Sequence, residues 1–487
     1  MGDRSGAMNT MLRSAAVIGA LGLGLAWTAR GADRGATQLA TPAIPSSLAL
    51  ATFDAVWGQV DQSSYRVGGN GLDWDRMRVE YRPRAAAADS RDALRSVLQE
   101  MLDRIGDSHF VIIPQASLSL QDPDPAPVTA SGGRTPDDPA ARYRTGLQVR
   151  LVDDALLVTA VADDSPAARA GIATGWALDS VQEMAVAPAL AEIQALDSEA
   201  ARQRARVLMQ AGLQARLDSR SGRAPLRLGL RDARGAVRQL ALEAQPVIGE
   251  PMQVPMLPPL SLEVEAQARA LPGGGCVGVF RFNVWVPAVA DRLEQAFTEL
   301  EACQGVVLDL RGNPGGVMGV MMRVAGHFVT EPTTLGTLQT GEASLNFRAL
   351  PRRVTNAGEL VKPYQGPLAV VVDELSMSTS EMFASGLQAV GRARVFGTAT
   401  PGMALPSRTL QLPTGDLLMY AFAQYSDPLD RQIEGEGVQP DSPAPSTRSA
   451  LLAGRDPPMV QAFAWIQGSH GADAGESTTD THQETSP

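Results

Sequence analysis

Lysine is almost absent from this 487-residue chain: of its 42 lysine and arginine residues, all but Lys362 are arginine. Histidine is scarce too, at His109, His327, His470 and His482, and cysteine occurs only at Cys276 and Cys303. With no Cys-x-x-Cys pair and no H-E-x-x-H, the usual zinc-ligand spacings are missing, and no metal or cofactor is expected. A Walker A loop is excluded because Lys362 follows no glycine-rich turn, and Schiff-base or Ser–Lys chemistry must use that one residue or not occur. Basic stripes are missing as well. Asp and Glu number 53 and the formal net charge is −11, so a nucleic-acid partner is not expected. Nor does the leader carry a spanning segment: the apolar run at residues 15–27 has 13 residues, short of the roughly 18–20 that cross a bilayer.

That run follows Arg4 and Arg13 and is succeeded by small residues, which reads as a signal peptide over residues 1–31. The other readings are an uncleaved membrane anchor and a buried helix of the mature protein. Export places the protein in the periplasm or outside the cell, with no membrane contact beyond the leader. In such a compartment Cys276 and Cys303 can pair. They can equally remain two separate buried thiols, and the sequence leaves both open.

What is present is globular. Hydrophobic residues make up 44% and charged residues 20%, and a chain of this length makes two to four domains at about 100–200 residues each. Residues 46–115 have helical periodicity and form a helical N-terminal domain. Residues 116–140, rich in Pro, Asp, Ser and Gly, form a linker. Residues 141–246 alternate short strands around one long helix at 199–217, and a proline-rich stretch after 247 is expected to strap two domains together. Residues 247–448 alternate strands (276–282, 305–310, 368–373, 394–397) with helices (289–302, 380–390), the signature of an α/β layer structure. A C-terminal helix is expected at 449–467 and a disordered tail at 468–487, which holds His470 and His482.

Two motifs can carry chemistry. In L-D-L-R-G-N-P-G-G (308–316) an apolar strand runs into a loop whose glycines leave backbone N–H groups open, either as an oxyanion cradle or as a tight turn. In V-V-D-E-L-S-M-S-T-S-E-M-F (371–383) a buried strand ends in a hydroxyl-rich loop and a helix begins. Ser378 and Glu381 form an S-x-x-E capping box there, so Ser378 reads as an N-cap. The same geometry gives a hydroxyl the positive end of a helix dipole, as a nucleophile needs.

Together these motifs resemble the C-terminal processing (tail-specific) serine proteases and their tricorn-core relatives. The resemblance extends to T-G-L-Q-V (145–149) and S-P-A-A-R-A-G-I-A-T-G-W (165–176), similar to PDZ segments, and to I-E-G-E-G-V-Q-P-D (433–441). It implies a multidomain α/β protein: a helical N-terminal domain, a PDZ-like β module and a crotonase/ClpP-like α/β catalytic core. It further implies Ser378 as nucleophile, with N–H groups of Gly315 or Gly316 and of Thr379 as the oxyanion hole. Gly146 and Leu147 would offer donors to a peptide carboxylate, and the partners would be protein or peptide substrates.

One departure matters. Where the tail-specific proteases place their catalytic lysine, this chain has Met403, in T-P-G-M-A (400–404). Lys362 precedes the strand entering the nucleophile loop, at its opposite end, so a Ser–Lys dyad is out. His109, in G-D-S-H-F, resembles the histidine element of the tricorn-like branch and is the expected base; Glu434 would orient it and Ser108 would assist. His327 is expected to be a packed helix-end histidine. The competing expectation is a peptide-binding or scaffold protein that kept the fold and lost catalysis.

Overall fold

The computed structural model describes residues 43–63, 72–115 and 142–476, apart from residues 183, 197–198, 219, 222–224, 247–249, 253–259 and 342. The expected leader (1–31), the linker (116–140) and the last residues of the expected tail lie outside the described residues.

The N-terminal part is helical as expected, with α1 (Ser46–Asp61), α2 (Trp74–Ala86) and α3 (Arg91–Asp103). Local chemistry sets their starts: Asp73 caps α2 by accepting from the Arg76 N–H, and Ser90 caps α3 by accepting from the Ala93 N–H. Leu94, Leu98, Met101 and Leu102 recur at helical spacing and are buried. Their partners lie far along the chain, in Leu405, Leu412, Leu418 and Tyr420. A short strand, β1 (Val111–Ile113), then joins an antiparallel sheet.

The middle of the chain is a β module around one helix. An antiparallel sheet contains, in spatial order, β2 (Leu147–Val152), β3 (Ala155–Val161), β4 (Ala177–Val181), β5 (Leu226–Arg231) and β6 (Val237–Leu242). Between β3 and β4 lies the short α4 (Pro166–Arg169), capped by Ser165. The long α5 (Glu199–Asp218) packs Met209, Leu213 and Leu217 into the module's core.

The last third is built on a six-stranded sheet. In spatial order it contains β7 (Val264–Ala270), β8 (Cys276–Phe282), β9 (Val306–Asp309), β10 (Leu368–Val372), β11 (Arg394–Gly397) and β14 (Ser442–Pro443). β7 pairs antiparallel and every other neighbour pairs parallel. So the stretch expected only to strap two domains together contributes an edge strand to the core. β9 and β10 are buried throughout, which is why they read as unbroken apolar runs. Leu308, Val370 and Val372 face α6 (Pro287–Glu301), α7 (Met318–Ala325) and α8 (Thr379–Ala389). Val307, Ala369 and Val371 face Met459, Ala462 and Ile466 of α9 (Pro457–Glu476).

Two further departures stand out. The helix α9 runs on to Glu476, into the stretch expected to be a disordered tail. Its apolar face, with Met459, Ala462 and Ile466 buried against the sheet, anchors the start of the helix. A three-stranded sheet was not anticipated: β12 (Ser407–Gln411) pairs with β13 (Leu417–Ala421), whose other edge takes β1. That pairing matches Val111 with Met419 and carries the His109 segment onto the core.

Cys276 and Cys303 are joined in a disulfide, with sulfurs 2.02 Å apart across a sequence separation of 27. It ties the start of β8 to the end of α6. Closing a loop of this length in the unfolded chain is worth about 3.5 kcal/mol on the chain-entropy model. Among the described residues no helix is long and apolar enough to cross a membrane.

Candidate active site

The site lies where β9 and β10 end, at the carboxyl edge of parallel strands, where α/β sheets open toward ligands. The 310–317 loop and the 373–378 loop are stitched together by Asn313, which has no exposed surface. Its carbonyl accepts from the Met377 N–H at 3.0 Å and the Ser380 hydroxyl at 3.0 Å. Its amide donates to the Phe282 carbonyl at 2.9 Å, and its Oδ1 accepts from the Gly315 N–H at 3.0 Å. The Thr379 hydroxyl donates to the Gly316 carbonyl at 2.8 Å. Gly315 has a φ of +99°, and a Cβ there would stand 2.7 Å from the Ser378 Cβ and 2.9 Å from the Met377 carbonyl. Only glycine fits between the loops at this point.

Ser378 opens α8 in an unusual backbone conformation, φ 54° and ψ −117°. Seven non-glycine residues among those described have positive φ; five are Asp or Gln, and the other two are Ser378 and His109. Such conformations cost about 1–3 kcal/mol each and gather at functional sites. Ser378 is held in place by its N–H, which donates to the Met403 carbonyl and to Glu381 Oε2, both at 3.0 Å. Glu381 is wholly buried, and it also accepts from the Thr400 hydroxyl at 2.6 Å, the Gly402 N–H at 2.8 Å and the Met403 N–H at 2.9 Å. Burial pushes its carboxyl up to about 7 against the pull of these donors. One carboxylate thus ties the serine to the turn that holds Met403. The capping-box spacing pointed to Glu381 in the sequence, but only as a helix cap.

His109 is 2% exposed and takes up that second strained conformation, φ 62°. Its Nδ1 lies 2.5 Å from the Ser108 hydroxyl, which donates to Glu434 Oε2 at 3.0 Å. The Ser108 N–H donates to the other Glu434 oxygen at 2.7 Å. Glu434 Oε2 also accepts from the Ala404 N–H at 2.9 Å. The histidine ring and the serine backbone are therefore linked through Ser108, Glu434 and the 403–404 turn. Burial, with a further contribution from Arg204, pushes the imidazole down to about 4; burial pushes the Glu434 carboxyl up to about 7. The ring is consequently neutral at pH 7. With its hydroxyl hydrogen given to Glu434, Ser108 accepts from Nδ1–H, which leaves the lone pair on Nε2.

The other candidates fall elsewhere. Met403 is 5% exposed, packed among Val111, Ile113, Leu375, Met377 and Met419. Lys362 is exposed on a loop. His327 packs on Phe297 with ring centroids 4.9 Å apart, its Nδ1 3.2 Å from the Val324 carbonyl. Among the oxyanion candidates, the Gly315 N–H is already engaged by Asn313, a contact the motif did not reveal. Gly146 has a φ of +79°, but the Leu147 N–H expected to meet a peptide carboxylate donates to the Thr145 hydroxyl at 3.3 Å.

The β module reaches the site through two contacts absent from the sequence reading. Arg150, on β2, donates to Asp373 Oδ2 at 2.7 Å, at the end of β10. Helix α5 lays Val207, Leu208 and Ala211 over Met377 and Met403, and its Arg204 donates to the Asp107 carbonyl at 2.9 Å. Ser378 is 4% exposed.

Comparison with known proteins agrees with this architecture. A probable CtpA-like serine protease of Staphylococcus haemolyticus is 27% identical over 168 residues, 34% of this chain and 33% of that protein. Its counterpart in Staphylococcus aureus is 28% identical over 169 residues, again 34% and 33%. The chain thus spans about a third of the length of these curated relatives. Among solved structures, the photosystem II D1 C-terminal processing protease superposes with a TM-score of 0.51 at 21% identity, covering 83% of this chain and 94% of that one. Mature CPAF complexed with lactacystin gives 0.53 at 13% identity, covering 89% and 99%. Residues 50–103 match the tricorn protease C1 domain. Residues 276–444, which hold Ser378, Glu381 and Glu434, match peptidase family S41.

Proposed function

We propose that the protein is an exported serine-type peptidase of the C-terminal processing kind, acting on proteins or peptides, with a PDZ-like module and a crotonase-like core. Ser378 attacks the peptide carbonyl while His109 Nε2 takes its proton and returns it to the leaving amine. Ser108 and Glu434 orient the imidazole and offset its developing charge. The N–H groups of Gly316 and Thr379 hold the oxyanion, Gly315 being committed to Asn313. The observation that carries this reading is the Glu434–Ser108–His109 chain and its link to the serine through the 403–404 turn. The disulfide supports export, since such bonds persist in oxidising compartments.

The apolar packing of Met403 favours a second reading, a peptide-binding scaffold without catalysis. A fluorophosphonate probe separates the two. Wild type should label and Ser378→Ala should not, while His109→Gln should lose labelling and peptide cleavage with its fold intact. Equal labelling of wild type and Ser378→Ala would remove the nucleophile assignment.

A further inference from the structure

β2 is an edge strand: it pairs with β3 on one side only. On its other side residues 147, 149 and 151 present their backbone groups toward α5, where a bound extended chain would pair with them. These groups are already occupied. The Gln214 side chain donates through Nε2 to the Leu147 carbonyl at 2.8 Å and accepts through Oε1 from the Val149 N–H at 3.0 Å. Gln210, one helical turn earlier, accepts from the Leu151 N–H at 2.6 Å. Gln210 is 2% exposed, so this contact is part of the packed interior.

The pattern identifies what the glutamines stand in for. A primary amide that bonds the carbonyl of residue 147 and the N–H of residue 149 uses the same two groups as the N–H and C=O of one residue of a neighbouring parallel strand. The chemistry that fits this edge is therefore the N–H and C=O of an extended chain, and the Gln214 side chain supplies an equivalent donor and acceptor from within the protein. An unprotected edge is a hazard of unwanted pairing, which a side-chain cap removes.

We propose that the groove between β2 and α5 is held shut by Gln210 and Gln214 as internal substitutes for a peptide strand, and that an extended peptide enters only by displacing them. This deepens the peptide-binding role of the PDZ-like module and rests on that reading. It makes the two glutamines determinants of affinity for the incoming chain.

The test uses the full chain in a Ser378→Ala background, so that the probe is not cut. The probe is a fluorescein-labelled decapeptide ending in Ala-Leu-Ala with a free carboxylate, followed by fluorescence anisotropy. Gln210→Met/Gln214→Met keeps side-chain length and helix propensity while removing the amides. It should bind the probe at least tenfold more tightly. Hydrogen exchange at the Val149 and Leu151 amides should quicken in the free variant and slow again when the probe is added. Gln210→Met alone, which touches one bond, should gain about threefold and stands as the readout if the double variant does not fold. Unchanged or weaker binding overturns the proposal, as does tighter binding without protection of those two amides. Failure of every variant to bind also overturns it, leaving the glutamines as edge protection alone. Since the nucleophile is absent throughout, none of these outcomes bears on the catalytic role of Ser378, which fluorophosphonate labelling decides separately.

Discussion

Replacing Arg150 by methionine should be among the most costly single changes in this protein. The Arg150–Asp373 pair is 2.7 Å apart, with side chains 8% and 11% exposed. Burial alone would push the Asp373 carboxyl up, but the Arg150 guanidinium, together with the Gly312 N–H and Arg311, outweighs it and holds the group below its ordinary value. Stranding one member of a buried pair costs about 3–5 kcal/mol. Asp373 keeps the Gly312 N–H at 2.8 Å, the Leu375 N–H at 3.0 Å and the Ser376 hydroxyl at 3.2 Å. Those donors place Arg150→Met at the lower end, about 3 kcal/mol. The change should read as a lower urea midpoint with the disulfide intact. Adding Asp373→Asn should recover about 2 kcal/mol, because the uncompensated charge is gone. The sign with pH follows. A carboxylate with a depressed folded pKa stabilises above its unfolded value and loses that stabilisation as pH falls through the folded one. The gap between wild type and Arg150→Met should be full at pH 6 and close below the usual carboxylate range. A loss under about 1 kcal/mol, or a double variant no better than the single, would refute the assignment of the pair as a buried, mutually dependent contact.

Two further outcomes follow from the site. With the imidazole of His109 pushed down to about 4 by burial, the base itself should stay unprotonated to about pH 5, so an acid limb of kcat/KM near 7 should belong to Glu434, whose carboxyl burial holds at about 7, and should vanish in Glu434→Gln; a limb near 6.5 that persists in Glu434→Gln would show that His109 titrates as an ordinary imidazole. The same shift makes the fold lose stability as pH falls from about 6.5 to 4, since the unfolded histidine binds its proton first. Gly315→Ala should lower kcat/KM at least a hundredfold, because its Cβ meets Ser378 Cβ at 2.7 Å and forces the two loops apart; near-normal turnover would mean that the loops have room to spare.

The core strands were legible because burial on both faces writes itself as an apolar run. C-V-G-V-F-R-F gave β8 with its observed bounds, and the 394–397 strand was likewise placed to the residue. Helix starts were legible through capping residues such as Ser165 and Ser378. What stayed hidden depends on contacts between distant segments. Nothing local to G-D-S-H-F announces that β1 pairs with residues 417–419, roughly three hundred positions away, yet that register delivers His109. Arg150 reads as a charged strand residue until Asp373 stands beside it. The cysteine pairing was undecided for the same reason, since spacing does not give side-chain direction. Glu381 was seen only as a cap because the turn that surrounds it comes from another strand.

Helix α5 is a wall shared by two clefts. Residues 207, 210, 211 and 214 share one face: Gln210 and Gln214 bond the β2 edge, and Val207 and Ala211 pack in the cluster that holds Met377 and Met403. An α-helix moves as a rod, so these neighbouring side chains cannot be repositioned separately. Whatever shifts this rod alters the entrance to the serine and the width of the strand groove in the same motion. A mutation designed to affect only one cleft must therefore be checked for its effect on the other.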